Sequence, residues 1–136
     1  MNKYEKLLLQ SIAVIIGGFF AYKGLTKHLL NPCKVYGADS NIPPDYISLV
    51  TVLCRNNYLV MVGLFQILFG LLLLIPKTRL LGALGLIPVV LVIFTFHLFL
   101  DNRPDELVET GLPLLGLLLL LMNEVSRKIG WKTLFS

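Results

Sequence analysis

The chain is 136 residues long, 56% hydrophobic and only 15% charged, with a mean hydropathy of +0.79. These values lie outside the usual range for a soluble domain, and the length suits one domain without a dividing linker. The formal charge of +4 would suggest nucleic acid in a soluble protein. Here Lys and Arg gather at the ends of apolar runs, as they do where they orient membrane helices, so no nucleic-acid partner is expected.

Lys3 and Lys6 precede an apolar run over residues 7–25. No small-x-small cleavage site follows, so the run reads as a first membrane helix and not as a removed signal. Ala13, Gly17 and Ala21 recur every four residues, a stripe that serves close helix packing. Residues 27–55 are polar and broken by Asn31-Pro32, Gly37, Asn41 and Pro43-Pro44. Within them Asp45 is expected to cap a short helix over 46–54, with Ile47, Val50 and Leu53 or Cys54 on one face. As the only long connection, this segment is where function is expected to reside. Cys33 and Cys54 both fall in it. A bridge between them would close a loop of about 20 residues, on the order of 3 kcal/mol in the chain-entropy model. Two unpaired thiols are the alternative, and no CxxC is present to tune a redox-active pair.

Residues 58–75 and 80–100 organise the chain. The first run has 18 residues with Gln66 as its only strongly polar side chain, and the second has 21 with His97 as its only ionisable one. At about 1.5 Å per residue they span roughly 27 Å and roughly 32 Å, close to the thickness of a bilayer's hydrocarbon core. The intervening Pro76-Lys77-Thr78-Arg79 can only turn the chain round, which makes a tight transmembrane hairpin. Gly63, Gln66 and Gly70 share one side of their helix, which should face protein. Pro88 should bend the next helix by leaving the Leu84 carbonyl without its donor. His97 shares a face with Gly82, Leu86, Val89 and Ile93, and Asp101 lies one turn beyond it.

Residues 101–106 are dense in charge. The last apolar run, 107–122, has 16 residues and contains Glu109 and Pro113. Its first turn is therefore expected at headgroup level, with Glu109 facing the other helices or water. Arg127, Lys128 and Lys132 beside Trp131 suit an interfacial tail. Lys3, Lys6, Lys77, Arg79, Arg127, Lys128 and Lys132 fall on one side of such an arrangement, and Lys23, Lys27, Lys34, Arg55 and Arg103 on the other. Seven against five places both termini in the cytoplasm. The expected fold is an all-α, integral membrane four-helix bundle over residues 1–136, with helices near 7–25, 58–75, 80–100 and 107–122.

Candidate contacts for a ligand or partner are Gln66, His97, Asp101, Glu109, Lys27, Arg55 and Arg103. An ionisable group at membrane depth marks a functional site, and Asp101 would orient or charge His97. The alternative is a neutral histidine near the interface. Lys23, Lys27, Arg55 and Arg103 would form an anion site or a snorkelling, solvated rim. Glu109 would pair with Lys27 or Arg55, or sit as a first-turn acid favoured by the helix dipole. There is no Walker, GxGxxG, CxxC or HExxH pattern, and no ligand spacing joins His97 to His28. Neither catalytic residues nor metal ligands are assigned.

The stretch Gly63-Leu-Phe-Gln66-Ile-Leu-Phe-Gly70-Leu-Leu-Leu-Leu-Ile-Pro76-Lys-Thr-Arg79 resembles the second-helix segment of the DoxX-like membrane proteins. Gly24-Leu-Thr-Lys27-His-Leu-Leu-Asn-Pro32 resembles the end of that family's first helix. Phe96-His97-Leu-Phe-Leu-Asp101-Asn-Arg-Pro104 is similar to its branch of nicotinic acetylcholine receptor assembly chaperones. Where many members carry glutamate in the second helix, this chain has Gln66, which holds no charge but still hydrogen-bonds. The resemblance implies an accessory subunit of a membrane oxidoreductase or thiol/redox complex, with no independent catalytic activity. No cofactor is then expected beyond a quinone reached through a partner. The alternatives are an assembly chaperone for membrane proteins and a binder or transporter of a lipid-like or quinone-like molecule. The expected partners are the bilayer and a membrane protein or a second copy. The expected location is the cell membrane, the inner membrane if the source is bacterial.

Overall fold

The computed structural model describes residues 3–30, 33 and 42–128, apart from the side chains of Asp101 and Lys128, and among them there is no strand. Helix α1 (Lys3–Lys23) continues into a π-helical turn, Gly24–Leu29. Helix α2 (Pro44–Arg55) is followed by α3 (Tyr58–Leu74) and a 3-10 turn, Pro76–Thr78. Helix α4 (Arg79–Phe96) ends in a second π-helical turn, His97–Asp101, and α5 spans Pro104–Lys128.

Helices α1 and α5 run past their expected bounds. The sequence reading ended helices where charge began, yet α1 starts at Lys3 and α5 covers 104–128 where 107–122 was expected. In α5 the added turns carry Glu106, Asn123 and Glu124, which are half-buried or buried, whereas Lys3, Glu5 and Lys6 at the start of α1 are exposed. Helix α2 begins at Pro44, with Pro43 at its cap and no side-chain cap bond, so Asp45 lies in the first turn and is not the cap. A proline at the first helical position gives up no bond, since that N–H is unpaired in any helix. Asn57, at φ 63°, turns the chain between α2 and α3, and Asn102, at φ 48°, does so before α5. Asparagine tolerates this left-handed conformation better than most residues.

Lys3–Leu29, Pro76–Leu100 and Pro104–Arg127 are each long and apolar enough to cross a membrane. Helix α3 has only 17 residues and reaches that length together with α2, from which it is bent by 81°. The count of candidate spans is three, or four with the bent pair as one. Leu7, Ile15, Leu64, Leu81, Leu112 and Leu119 are each more than half exposed. Apolar surface on every long helix is the inverse of a soluble protein and compatible with a lipid-facing exterior.

The helices pack in sequence, α1 on α3, α3 on α4, α4 on α5, and α5 returns to α1. The core runs along that seam through Ala13, Ile16, Phe20, Leu73, Ala83, Leu86, Val90, Leu117 and Leu120. The α1–α3 contact is made by backbone. A Cβ added at Gly17 would stand 2.6 Å from the carbonyl oxygen of Gly70, and one at Gly70 would stand 2.8 Å from that of Gly17. Gly24 and Gly63 repeat the arrangement two turns along, at 2.6 and 2.8 Å. Gly82 does the same between α4 and α3, where a Cβ would lie 2.7 Å from the Leu73 amide nitrogen.

Substituting these glycines should separate the helices. Gly70→Leu is expected to lower stability by about 1–3 kcal/mol, the usual range for overpacking. Gly18→Ala should change it little, since a Cβ at Gly18 meets nothing within 4 Å. Denaturant or thermal unfolding of the purified variants in detergent checks the contrast.

Candidate functional site

The close α1–α3 approach brings the π-helical turn Gly24–Leu29 against α3 at the end of the molecule that also carries the start of α5. There Lys23 Nζ donates a hydrogen bond to Glu109 Oε1, and Lys27 Nζ lies 4.0 Å from the same oxygen. Lys23 also sits 5.4 Å from the centroid of the Phe19 ring. Glu109 is thus held by two cations from one turn of a neighbouring helix.

Beside this pair a second group closes on itself. His97 is buried, at 6% exposure, and its Nε2 stands 3.6 Å from Glu106 Oε2. Glu106 Oε1 lies 4.0 Å from Arg103 Nη2, and the Arg103 guanidinium lies 5.5 Å from the Tyr46 ring. Tyr46 in turn stacks on His97, with centroids 5.4 Å apart. Tyr46 belongs to α2, so this ring of four side chains fastens α2 over the α4–α5 turn. A disulfide between Cys33 and Cys54 ties the other end of α2 to the segment before it.

Two cavities lie beneath. The smaller, about 60 Å³, is lined on its polar side by Lys23, Lys27, His28, Gln66, Glu106 and Glu109. The larger, about 360 Å³, is walled by apolar side chains of α2, α3 and α4, among them Leu53, Phe65, Pro88, Val89 and Phe96. His28 and Ile93 line both. Gln66 is 3% exposed, and its amide makes no hydrogen bond among the described residues, its Oε1 being fully enclosed. A buried amide without a partner costs on the order of 1–3 kcal/mol, so its position facing a cavity is informative.

The structure therefore gathers Gln66, His97, Glu109, Lys27 and Arg103 at one end. Arg55 is exposed and has no ion pair among the described residues, so it does not pair with Glu109. The side chain of Asp101 lies outside the described residues, as does most of the tail with Trp131 and Lys132. Among the described residues a carboxylate beside His97 is that of Glu106, and the principal partner of Glu109 is Lys23. Neither pairing is visible in helical periodicity, because each joins groups on different elements. His28, set aside in the sequence for want of a metal-ligand spacing, lines both cavities. Among the described residues no three of His, Cys, Asp and Glu converge as metal ligands would.

No family model, curated protein or solved structure matches the chain.

The Lys23–Glu109 pair is partly exposed, with side-chain accessibilities of 20% and 34%, so its contribution should be modest. A double-mutant cycle of Lys23→Met and Glu109→Gln, read by unfolding in detergent, is expected to give a coupling of about 1 kcal/mol.

Proposed function

We propose that this is a multi-pass membrane protein of the DoxX-like type that binds a lipid-like or quinone-like molecule at the Glu109 end. The observation that carries this reading is the unpartnered amide of Gln66, buried in the wall of a small cavity edged by Lys23, Lys27 and Glu109 that shares His28 and Ile93 with a larger apolar one. A small cavity with a few polar groups at its edge, next to an apolar one, suits an amphipathic molecule with a carbonyl or hydroxyl head and a hydrocarbon body. The Gln66 amide nitrogen offers N–H donors to such a head, which a carbonyl or hydroxyl oxygen accepts. Phe65, Val89 and Phe96 supply an apolar wall for the body.

The proposed arrangement is a four-helix membrane bundle in which the bent pair α2–α3 completes the fourth span. The seven-to-five distribution of Lys and Arg supports both termini in the cytoplasm, with the Glu109 end outside. A quinone held at that end accords with the accessory-subunit role that the DoxX resemblance implies, the redox chemistry belonging to a partner enzyme.

Organic extracts of protein purified from native membranes, analysed by mass spectrometry, should contain one retained amphipathic species. Rebinding of that species to Gln66→Leu is expected to weaken about five- to tenfold, the equivalent of one buried hydrogen bond. Val89→Trp, which fills the apolar cavity, should also displace it. Unchanged binding in both variants would overturn the assignment. A redox enzyme recovered in the same preparation would support the accessory role, and its absence from native membranes would count against that role alone.

A further inference from the structure

A second polar cluster occupies the opposite end. Arg79, the first residue of α4, is 6% exposed, and Glu124, one turn before the end of α5, is 2% exposed. Arg79 Nε donates to the Leu73 carbonyl oxygen at 3.3 Å, and Nη2 donates to Gln10 Oε1. Nη1 stands 4.0 Å from Glu124 Oε1, an ion-pair separation beyond hydrogen-bond reach. A guanidinium carries five N–H donors, so most of those on this buried group have no acceptor among the described residues. The other oxygen of Glu124 accepts from Arg127 Nη2 at 2.9 Å.

These groups surround a cavity of about 260 Å³ lined by Lys6, Gln10, Arg79, Asn123, Glu124 and Arg127. Among the described residues its lining carries three positive charges against one negative. Glu124 balances only part of that charge, and a buried cation with open donors is stabilised by a further anion. Guanidinium forks match the oxygens of a phosphate in pairs. Position narrows the ligand further. Lys6 is near the start of α1, Arg79 opens α4 and Arg127 is near the end of α5, so the cavity lies level with the ends of three candidate spans. In a bilayer that is the level of the headgroup phosphates, where basic pockets between helices hold anionic lipids.

We propose that this cavity binds the phosphate of an anionic phospholipid headgroup. Arg79 and Arg127 donate to the phosphate oxygens, Lys6 adds charge at the rim, and Glu124 holds the two guanidinium groups side by side. The inference rests on the membrane-spanning reading but not on any ligand at Gln66. It can therefore fail while that site stands.

The test uses the full chain in nanodiscs of equal phosphatidylglycerol and phosphatidylcholine, with the lipid retained after gentle extraction measured by native mass spectrometry. The wild type should retain phosphatidylglycerol preferentially. Lys6→Gln with Arg127→Gln should reduce that preference by about fivefold or more, each cation near an anionic headgroup being worth about fivefold. The double variant keeps the Arg79 bonds to Leu73 and Gln10. If its melting transition is lost, Arg127→Gln alone serves, since that side chain is 47% exposed. Equal retention of the two lipids by the wild type, or an undiminished preference in the variant, would overturn the proposal. So would a rise in melting temperature with inorganic phosphate in neutral detergent without any lipid preference, which would assign the cavity to a soluble phosphate.

Discussion

The contact between α1 and α3 is the constraint on which the other features depend. Gly17 lies against Gly70 and Gly24 against Gly63, each pair so close that neither residue has room for a Cβ. Association of apolar helices in lipid gains little from hydrophobic burial and depends on close packing, which small residues permit. Here the approach does more than hold two helices. It sets the turn bearing Lys23, Lys27 and His28 beside the α3 face bearing Gln66, and so defines one wall of the smaller cavity. A larger residue at Gly24 or Gly63 would press on the facing carbonyl oxygen and force that wall open.

The distribution of polar groups follows from the apolar exterior. A chain whose long helices present leucine, isoleucine and valine outward leaves charged side chains few places away from water, and they collect at two ends. At one end Lys23, Glu109, His97, Glu106 and Arg103 hold each other across three elements and pin α2 through Tyr46. At the other, Arg79, Gln10, Glu124 and Arg127 join α1, α4 and α5. Between these ends Leu73, Ala83, Leu86, Val90 and Leu117 form an apolar waist. Gln66 departs from the pattern as a buried amide, beneath the first cluster, with no protein partner among the described residues. A group of that kind belongs to a site more readily than to a scaffold, since leucine in its place would carry no desolvation cost.

Both π-helical turns lie at the Glu109 end, at Gly24–Leu29 and His97–Asp101. Such turns add a residue to the helical repeat and are frequent at functional sites. Lys27 and His28 lie within the first of these turns, and the second begins at His97. The His97–Glu106 pair joins one such turn to the start of α5, so periodicity within a single helix does not reveal it.

Composition and hydrophobic runs were sufficient to determine the helical class, the apolar exterior and the tight turn at Pro76–Thr78, because each depends only on local length and polarity. The spacing of Gly63, Gln66 and Gly70 likewise showed which side of α3 would be covered. The Glu124 end is legible too. Leu114, Leu117, Leu120 and Glu124 follow helical spacing, as do Arg79, Ala83, Leu86 and Val90, so each charge falls on the buried face of its helix. Only the tertiary structure decided that Lys23 and not Arg55 meets Glu109, that Tyr46 covers His97, and that one histidine borders two cavities. Those contacts join residues far apart in the chain, and their geometry is set by helix crossings and two π-helical turns that no single-helix pattern encodes.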